Sequence, residues 1–158
     1  NMKILVINCS GRAENNTKFI YYNILKKLEI SEKLEFDIIS LYDIYEKLPD
    51  YLTIFGRYKC ILWLTPEYNR SYSSNVKYFI ENLGVENFYG KINGIISTSI
   101  GPSSRCGLNE FANLLFSMDT LVIPPGIEYN YLLEIDENTI NRIKVLLKNL
   151  KFFYLKLL

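Results

Sequence analysis

Three segments of this sequence each place small, hydroxyl-bearing or charged side chains directly after a run of apolar residues. The first segment covers residues 9–17 (CSGRAENNT), the second covers residues 65–74 (TPEYNRSYSS) and the third covers residues 97–107 (STSIGPSSRCG). Their side chains can donate hydrogen bonds, stack on a flat ring or pair with an anion. The three segments are therefore the candidates for a ligand-binding site.

The first segment has the composition of an anion site. It lies between a predicted strand and a predicted helix, and the first N–H groups of a helix lack partners and carry a positive partial charge. Ser10, Asn16 and Thr17 add donors, and Arg12 can form a charge-assisted pair. The segment matches neither GxxxxGK[ST] nor GxGxxG. Ordinary helix capping by Asn16 or Thr17 explains the same residues equally well.

The second segment suits a flat ring with polar edges. Tyr68 offers a stacking face, and the amide of Asn69 can pair with ring heteroatoms. Pro66 ends the preceding apolar run, and a predicted helix follows the segment. A turn of favourable chemistry over residues 66–69 is the alternative interpretation.

The third segment consists largely of small residues, which let a ligand approach the backbone closely. A surface loop that accepts any small residue is the alternative, and for this segment considered alone it is favoured. The three segments together are more informative, because each follows a strand of the same predicted sheet and chance does not readily place all three at one edge.

Composition narrows the classes of protein. The chain has 158 residues, of which 49% are hydrophobic and 22% are charged, so we expect one globular domain over residues 2–158. Lys and Arg number 18 against 17 for Asp and Glu, and the net charge of +1 predicts no nucleic-acid partner. The sequence contains no histidine, which excludes His-based catalytic triads and His-ligated metal sites. We expect no metal.

The cysteines and the apolar runs bear on the compartment. Cys9, Cys60 and Cys106 are far apart and form no CxxC motif, so we predict no disulfide framework and a cytoplasmic protein. Packing is the favoured role of all three, although Cys9 and Cys106 lie within the first and third segments, where a redox role also fits. The apolar run at residues 4–7 is too short for a signal peptide or a membrane span, so no membrane association is expected.

Strand and helix patterns alternate along the chain. Short apolar runs typical of buried parallel strands occur at residues 3–8, 36–40, 60–64, 94–98 and 120–123. Helical spacing occurs at residues 16–28, 74–83 and 108–118 and in a last helix that Asp136 can cap. This alternation predicts an α/β fold, a doubly wound parallel sheet of five strands with helices on both faces. Such sheets bind ligands beyond the carboxyl ends of their strands, where all three segments are expected.

With these motifs the sequence resembles the NADPH-dependent FMN reductase family, whose fold is flavodoxin-like. The first segment is similar to the phosphate loop GSxRxxxNT of that family, with Cys9 at the position of the glycine. Residues 65–83 (TPEYNRSYSSNVKYFIENL) resemble the family segment TPEYNGSxPxxLKNxID, and residues 97–101 (STSIG) resemble S-x-S-x-G. The resemblance extends from Lys3 to the last helix.

The resemblance implies a sheet order of 2-1-3-4-5, FMN as cofactor, and NADPH or NADH as co-substrate. It also implies a homodimer or homotetramer, for which the apolar C-terminal helix and the helix carrying Tyr78 and Phe79 are candidate surfaces. Because the flavin itself carries the hydride, no catalytic side chain is expected. The cofactor-binding residues that it implies are Ser10, Arg12, Asn15, Asn16 and Thr17 at the phosphate, Pro66, Glu67, Tyr68, Asn69 and Ser71 along the isoalloxazine, and Ser99 and Gly101 at its other edge.

Several residues depart from the family pattern. Arg70 replaces a glycine, Ser73 replaces a proline, and Ser103 and Ser104 replace glycines. Arg70 has three interpretations: it narrows the pocket, it contacts a phosphate of the dinucleotide, or it is simply solvated. Glu67 is expected to shape its loop by hydrogen bonding, since a carboxylate beside a reduced anionic flavin is unfavourable.

The function expected is an FMN-dependent NAD(P)H oxidoreductase that passes hydride from nicotinamide to flavin and on to a small acceptor such as a flavin or a quinone. A flavodoxin-like electron carrier without a dinucleotide site is the first alternative. The net charge argues against it, because small carriers of this fold tend to be strongly acidic. A family member that has lost its flavin and serves as an interaction module is the second alternative.

Overall fold

The fold is built on one parallel sheet. The computed structural model describes residues 1–13, 16–101 and 103–157, and within them six strands pair in parallel in the order β2-β1-β3-β4-β5, with β6 also paired to β4. The strands are β1 (Met2–Asn8), β2 (Leu34–Ser40), β3 (Cys60–Pro66), β4 (Ile92–Ser99), β5 (Leu121–Val122) and β6 (Ile127–Asn130). The predicted order 2-1-3-4-5 is confirmed.

Two short strands share the fifth position of the sheet. β5 pairs with Ile92 and Asn93 at the start of β4, whereas β6 pairs with the end of β4, from Ile96 to Ser99. The sequence predicted one strand here, ending before Pro124. Pro124 and Pro125 separate β5 from β6 because a proline has no N–H to donate to a strand ladder.

Helices cover both faces of the sheet, as predicted. The helix α1 begins with Thr17–Ile20, continues through a π-helical segment, Tyr21–Leu25, and ends with Lys26–Glu32. The others are α2 (Ile44–Gly56), α3 (Ser74–Leu83), α4 (Arg105–Phe116) and α5 (Glu137–Lys156). Buried side chains of α1 and α5 pack on one face of the sheet, and those of α2, α3 and α4 pack on the other.

The helix α2 was not predicted from the sequence. Its buried residues Ile44, Tyr51 and Phe55 do follow helical spacing. Pro49 lies inside the helix and removes one of its backbone donors, which makes the segment look like a loop. Burial of the apolar stripe outweighs that local cost.

A buried polar pair stabilises the centre of the sheet. Trp63 on β3 is fully buried, and its indole Nε1 donates a hydrogen bond to Oδ1 of the buried Asn93 on β4 at 2.9 Å. The Asn93 amide in turn donates to the Thr120 hydroxyl and to the Leu121 carbonyl, both at 2.9 Å. These bonds satisfy polar groups that would be costly to bury alone, and they align β3, β4 and β5.

Gly94 lets α5 approach the sheet. A Cβ atom at this position would lie 3.1 Å from Leu62 and 3.2 Å from both Leu146 and Leu150. The two leucines of α5 are fully buried, so little free space surrounds this contact.

In the residues that the structure describes, none of the helices combines the length and the apolar character needed to cross a membrane.

We predict that Gly94→Ala lowers the free energy of unfolding by about 1–2 kcal/mol, because the added methyl group overpacks a fully buried site. Urea denaturation measures this change. Gly56→Ala is the matched control, because a Cβ there meets nothing within 4 Å. Alanine also has a higher helix propensity than glycine at the end of α2, so the free energy of unfolding should equal or exceed that of the wild type. Equal losses in the two variants would contradict the prediction.

Candidate functional site

The first two segments meet in a cleft at the carboxyl edge of the sheet. The cleft has a volume of about 360 Å³. Its walls come from the first segment, from the second segment and from the loop that follows β6, and the lining residues are Ser10, Arg12, Asn16, Thr17, Pro66, Tyr68 and Tyr131. The structure therefore brings together six of the residues selected from the sequence and adds Tyr131.

The carboxamide of Asn8 organises the first segment. Asn8 ends β1 and is fully buried. Its Oδ1 accepts hydrogen bonds from the Ser10 backbone N–H at 3.2 Å and from the Thr17 hydroxyl at 2.6 Å. The Ser10 hydroxyl oxygen then accepts a bond from the Arg12 backbone N–H at 3.2 Å. Asn8 thus links the end of β1 to the first residue of α1.

Asn8 was missed in the sequence analysis, although a signal was present. It is the one polar residue at the end of the apolar run KILVIN. A buried polar side chain at a strand end needs hydrogen-bond partners, and the nearest ones belong to the loop that follows.

Helix capping does not account for the polar residues of the first segment. Among the described residues, Asn16 precedes α1 without a capping hydrogen bond from its side chain, and the Thr17 hydroxyl donates to Asn8. Asn15, the remaining residue expected there, lies outside the residues that the structure describes. Cys9 is fully buried, and burial raises the pKa of its thiol well above the ordinary value, which fits a packing role.

Tyr68 connects the second segment to the first. Its hydroxyl lies 3.0 Å from the Ser10 hydroxyl oxygen. The resemblance places Tyr68 along the isoalloxazine, whereas in the structure its hydroxyl reaches the residues expected at the phosphate. The side chain therefore connects the second segment to the first within the cleft.

The tip of the second segment is a tight two-residue turn. The Tyr68 N–H donates to the Ser71 carbonyl at 2.8 Å, and the Ser71 N–H donates to the Tyr68 carbonyl at 3.0 Å. Between them Asn69 (φ +49°) and Arg70 (φ +65°) both adopt left-handed backbone conformations, as a type I′ turn requires. Asn69 and Arg70 are exposed, and they lie beyond the residues that line the cleft.

Ser73 holds the second segment against the first. Its hydroxyl donates a hydrogen bond to the Cys9 carbonyl at 2.6 Å, and its oxygen accepts a bond from the Val76 N–H at the start of α3. A proline, which is usual at this position in the resembled family, has no hydroxyl and could form neither bond.

Glu67 connects the second segment to the third. Its Oε1 accepts a hydrogen bond from the Gly107 N–H in the first turn of α4 at 3.0 Å, and its own backbone N–H donates to the Thr98 carbonyl at 2.7 Å. A carboxylate is favourable at the positive end of a helix. A Cβ at Gly107 would lie 3.0 Å from Glu67 Cγ, so glycine is what permits this close approach. This contact is the kind of hydrogen bond expected of Glu67.

Serine side chains close the third segment. The Ser97 hydroxyl donates to the Ser104 carbonyl at 3.1 Å, and the Ser104 hydroxyl donates to the Ser97 carbonyl at 3.0 Å. Ser103 donates to Glu128 at 2.8 Å, and Arg105 pairs with the same carboxylate at 2.6 Å. The serines that replace glycines thus fix the loop through hydrogen bonds.

The third segment lies beside the cleft and does not line it. Ser99 lines a neighbouring cavity of about 340 Å³, together with residues of β6 such as Glu128 and Asn130. The Ser99 hydroxyl donates to the Gly101 carbonyl at 3.3 Å, and Asn130 donates to the same carbonyl at 2.7 Å. The structure therefore does not place Ser99 and Gly101 in one cavity with the first two segments.

The loop after β6 was not recognised as part of the site. Tyr131 lines the cleft and also a second cavity of about 540 Å³, which it shares with Asn16, Phe19 and Leu132. The Tyr131 N–H donates to the Ser99 carbonyl at 3.2 Å, which fixes this loop beside the third segment. The strand β6 was not predicted, so nothing in the sequence analysis brought Tyr131 to this edge.

The residues of the cleft fit a phosphorylated aromatic cofactor. The Ser10 hydroxyl, the Arg12 guanidinium and the start of α1, where Thr17 lies, suit a phosphate. Pro66, Tyr68 and Tyr131 provide flat, largely apolar walls for a ring. A 2-1-3-4-5 parallel sheet with such a cleft at its carboxyl edge defines a flavodoxin-like protein.

The family model for NADPH-dependent FMN reductase matches residues 2–128, and the chain belongs to that family. It is therefore a flavin-dependent oxidoreductase, with FMN as cofactor and NAD(P)H as co-substrate. The resemblance stated from the sequence is confirmed. A comparison with curated protein sequences finds no match.

Solved structures support the fold. An oxidoreductase from Corynebacterium diphtheriae superimposes with a TM-score of 0.84 at 17% identity, covering 98% of this chain and 97% of that one. The flavoenzyme NAD(P)H:(acceptor) oxidoreductase from Paracoccus denitrificans gives 0.72 at 19%, covering 99% and 97%. A flavodoxin from the domain Archaea gives 0.72 at 19%, covering 97% and 99%. At these identities the similarity establishes the fold.

We predict that Asn8→Ala weakens FMN binding about tenfold, because two donors of the first segment lose a buried acceptor, a loss of about 1–3 kcal/mol. Binding of riboflavin, which lacks the phosphate, should change much less. Quenching of flavin fluorescence measures both affinities. Asn23→Ala on the exposed face of α1 is the control and should leave both affinities unchanged. Equal weakening of FMN and riboflavin would contradict the assignment of this segment to the phosphate.

We predict that Glu67→Ala lowers the free energy of unfolding by about 1 kcal/mol, because α4 loses an acceptor for its first turn. Glu67→Gln should stay close to the wild type, since the amide oxygen can accept the same bond from Gly107. Thermal unfolding of the flavin-free protein tests the pair. If Glu67→Gln is as destabilised as Glu67→Ala, the charge of Glu67 matters more than its hydrogen bond.

Proposed function

We propose that this chain binds FMN in the cleft, takes hydride from NAD(P)H and passes the reducing equivalents to a small acceptor such as a flavin or a quinone. The observation that carries the proposal is the convergence of Ser10, Arg12, Thr17 and Tyr68 in one cleft in front of α1. The bound flavin would supply the redox chemistry, accepting a hydride and releasing electrons to the acceptor.

At the phosphate end, the chain's role is to bind. The Ser10 hydroxyl and the Arg12 guanidinium donate to phosphate oxygens. Thr17, whose own hydroxyl donates to Asn8, lies at the start of α1, which contributes its positive partial charge. Asn15 and Asn16 complete this set in the proposal. Asn8 keeps these donors in place through its two bonds and does not itself contact the cofactor.

At the ring end, the chain's role is to orient the flavin and leave one face open. Pro66 and Tyr68 form the wall of the cleft. The N–H groups of Glu67, Tyr68 and Ser71 are bonded to protein carbonyls, so the backbone N–H groups that we propose for the ring edge are those of Asn69 and Arg70. We assign Glu67, Asn69 and Ser71 to this edge. Ser99, which lines the neighbouring cavity, and Gly101 are assigned to the opposite edge, which requires the ring to extend beyond the cleft. Fixed N–H donors stabilise the negative charge that develops on a reduced ring.

We further propose one FMN-binding domain over residues 2–158 that self-associates as a homodimer or homotetramer. Phe152, Leu155 and Leu157 near the end of the chain are exposed, as are Leu132 and Leu133 beside the cleft, and apolar surface of this kind suits a subunit contact. The three cysteines are free, which suits the reducing cytoplasm that we propose as its location.

An electron carrier without a dinucleotide site is the second candidate function. The archaeal flavodoxin matches almost the full length of both chains, so the fold accommodates either function. The net charge of +1 favours the enzyme, because docking on basic partner proteins calls for an acidic surface.

The test is the visible absorption spectrum of the protein after FMN is added, the mixture is desalted, and NADPH or NADH is added without oxygen. We expect retained yellow colour that bleaches with either dinucleotide. Colour that bleaches with dithionite and persists with both dinucleotides would support the electron carrier. Loss of all flavin on desalting would contradict the cofactor site itself.

A further inference from the structure

Arg70 occupies a strained position. Both residues at the tip of the second segment have positive φ, and Arg70 is at the place where a type I′ turn favours glycine. A left-handed conformation is costly for a residue with a Cβ atom, so a glycine here would stabilise the turn. Strain of this kind persists where the surrounding structure enforces it, and it concentrates at functional positions.

The guanidinium of Arg70 has no protein partner among residues 1–13, 16–101 and 103–157. In the part of the chain that the structure describes, Arg70 is exposed and forms neither an ion pair nor a side-chain hydrogen bond. Arg105, on the neighbouring third segment, contrasts with it because its charge is paired with Glu128 at 2.6 Å. The positive charge of Arg70 thus stays available to a ligand.

The turn holds this charge at the rim of the cleft. Tyr68, at its base, lines the cleft and contacts Ser10. Ser73, just after the turn, is bonded to the Cys9 carbonyl. With the two backbone bonds between Tyr68 and Ser71, the turn is fixed at both ends, so Arg70 projects from a positioned support.

A dinucleotide that reaches the flavin must leave its phosphates outside the cleft. Its nicotinamide has to lie against the ring, while its phosphate groups, each bearing negative charge, remain among the surrounding loops. A guanidinium binds phosphate oxygens through a fixed fork of N–H donors. We propose that Arg70 binds a phosphate group of the incoming NAD(P)H, an inference that rests on the proposed function.

Narrowing of the pocket would not require a charge, and simple solvation would not require an arginine at a strained position. The charge itself is therefore what the proposal must test. Arg70→Gln keeps a similar length and the same backbone strain but removes the charge, whereas Arg70→Lys keeps the charge.

The experiment measures kcat/KM of the FMN-loaded protein with three hydride donors: NADPH, NADH and the phosphate-free 1-benzyl-1,4-dihydronicotinamide. We expect Arg70→Gln to lose about tenfold with a dinucleotide, as for one charge-assisted contact, and to match the wild type with the phosphate-free donor. Arg70→Lys should retain most of the activity. Arg57→Gln is the control. It removes an exposed positive charge just before β3 begins, at the amino ends of the strands, and should leave all three values of kcat/KM unchanged.

The three donors separate the outcomes. If Arg70→Gln lowers kcat/KM with NADPH alone, Arg70 binds the 2′-phosphate. If kcat/KM falls with both dinucleotides, Arg70 binds the pyrophosphate. Unchanged rates, or an equal loss with the phosphate-free donor, would overturn the proposal for Arg70 while the proposed function stands. A wild type that accepts hydride from none of the three donors would overturn the proposed function first.

A second measurement tests the strain. Arg70→Gly should raise the midpoint of thermal unfolding by about 2 °C while it lowers kcat/KM for the dinucleotides as Arg70→Gln does. A lower midpoint would show that Arg70 is retained for stability, which would overturn the argument from strain.

Discussion

Parallel pairing of β1, β3 and β4 places the carboxyl ends of three strands at one edge, and the contacts of the site depend on this arrangement. Near the end of each strand lies a polar residue that is buried at the base of the loops: Asn8 on β1, Thr65 on β3 and Ser97 on β4. Most buried polar groups have a hydrogen-bond partner. Asn8 and Ser97 find theirs in the first and third segments, whereas the Thr65 hydroxyl has none among the described residues. The sheet therefore shapes its own binding loops.

The three segments are also bonded to one another. Ser73 joins the second to the first, Glu67 joins the second to the third, and Tyr68 meets Ser10 across the cleft. Each bond restrains a backbone that would otherwise be free, so donors for a phosphate and walls for a ring are positioned before a ligand arrives. Preorganisation of this kind lowers the cost of binding.

Local patterns in the sequence predicted the parallel sheet, the helices on both faces and the loops that supply six cleft residues, because buried parallel strands and polar loops are easily recognised. The sheet order came from the resemblance to the family. Sequence reasoning missed α2, whose Pro49 disguises a helix, and β6, which the prolines separate from β5. Because β6 was not predicted, Tyr131 was not recognised as a residue of the cleft. Asn8 was also missed. It stands out as a polar residue at the end of an apolar run, but its partner Thr17 lies nine positions further along the chain. Ser99 lines a neighbouring cavity together with residues of β6. Its position therefore could not be predicted from the third segment alone.

The divided fifth position has a consequence for the chain in concentrated solution. An unbroken outer strand offers a row of free N–H and C=O groups on which another chain can add, the first step towards fibrils. Here β5 and β6 are short, and Pro124 and Pro125 interrupt the row between them. Asn149 of α5 donates to the Pro124 carbonyl at 2.8 Å and occupies part of the remaining acceptor capacity. The two prolines that separate β5 from β6 thus also protect this edge of the sheet from pairing with another chain.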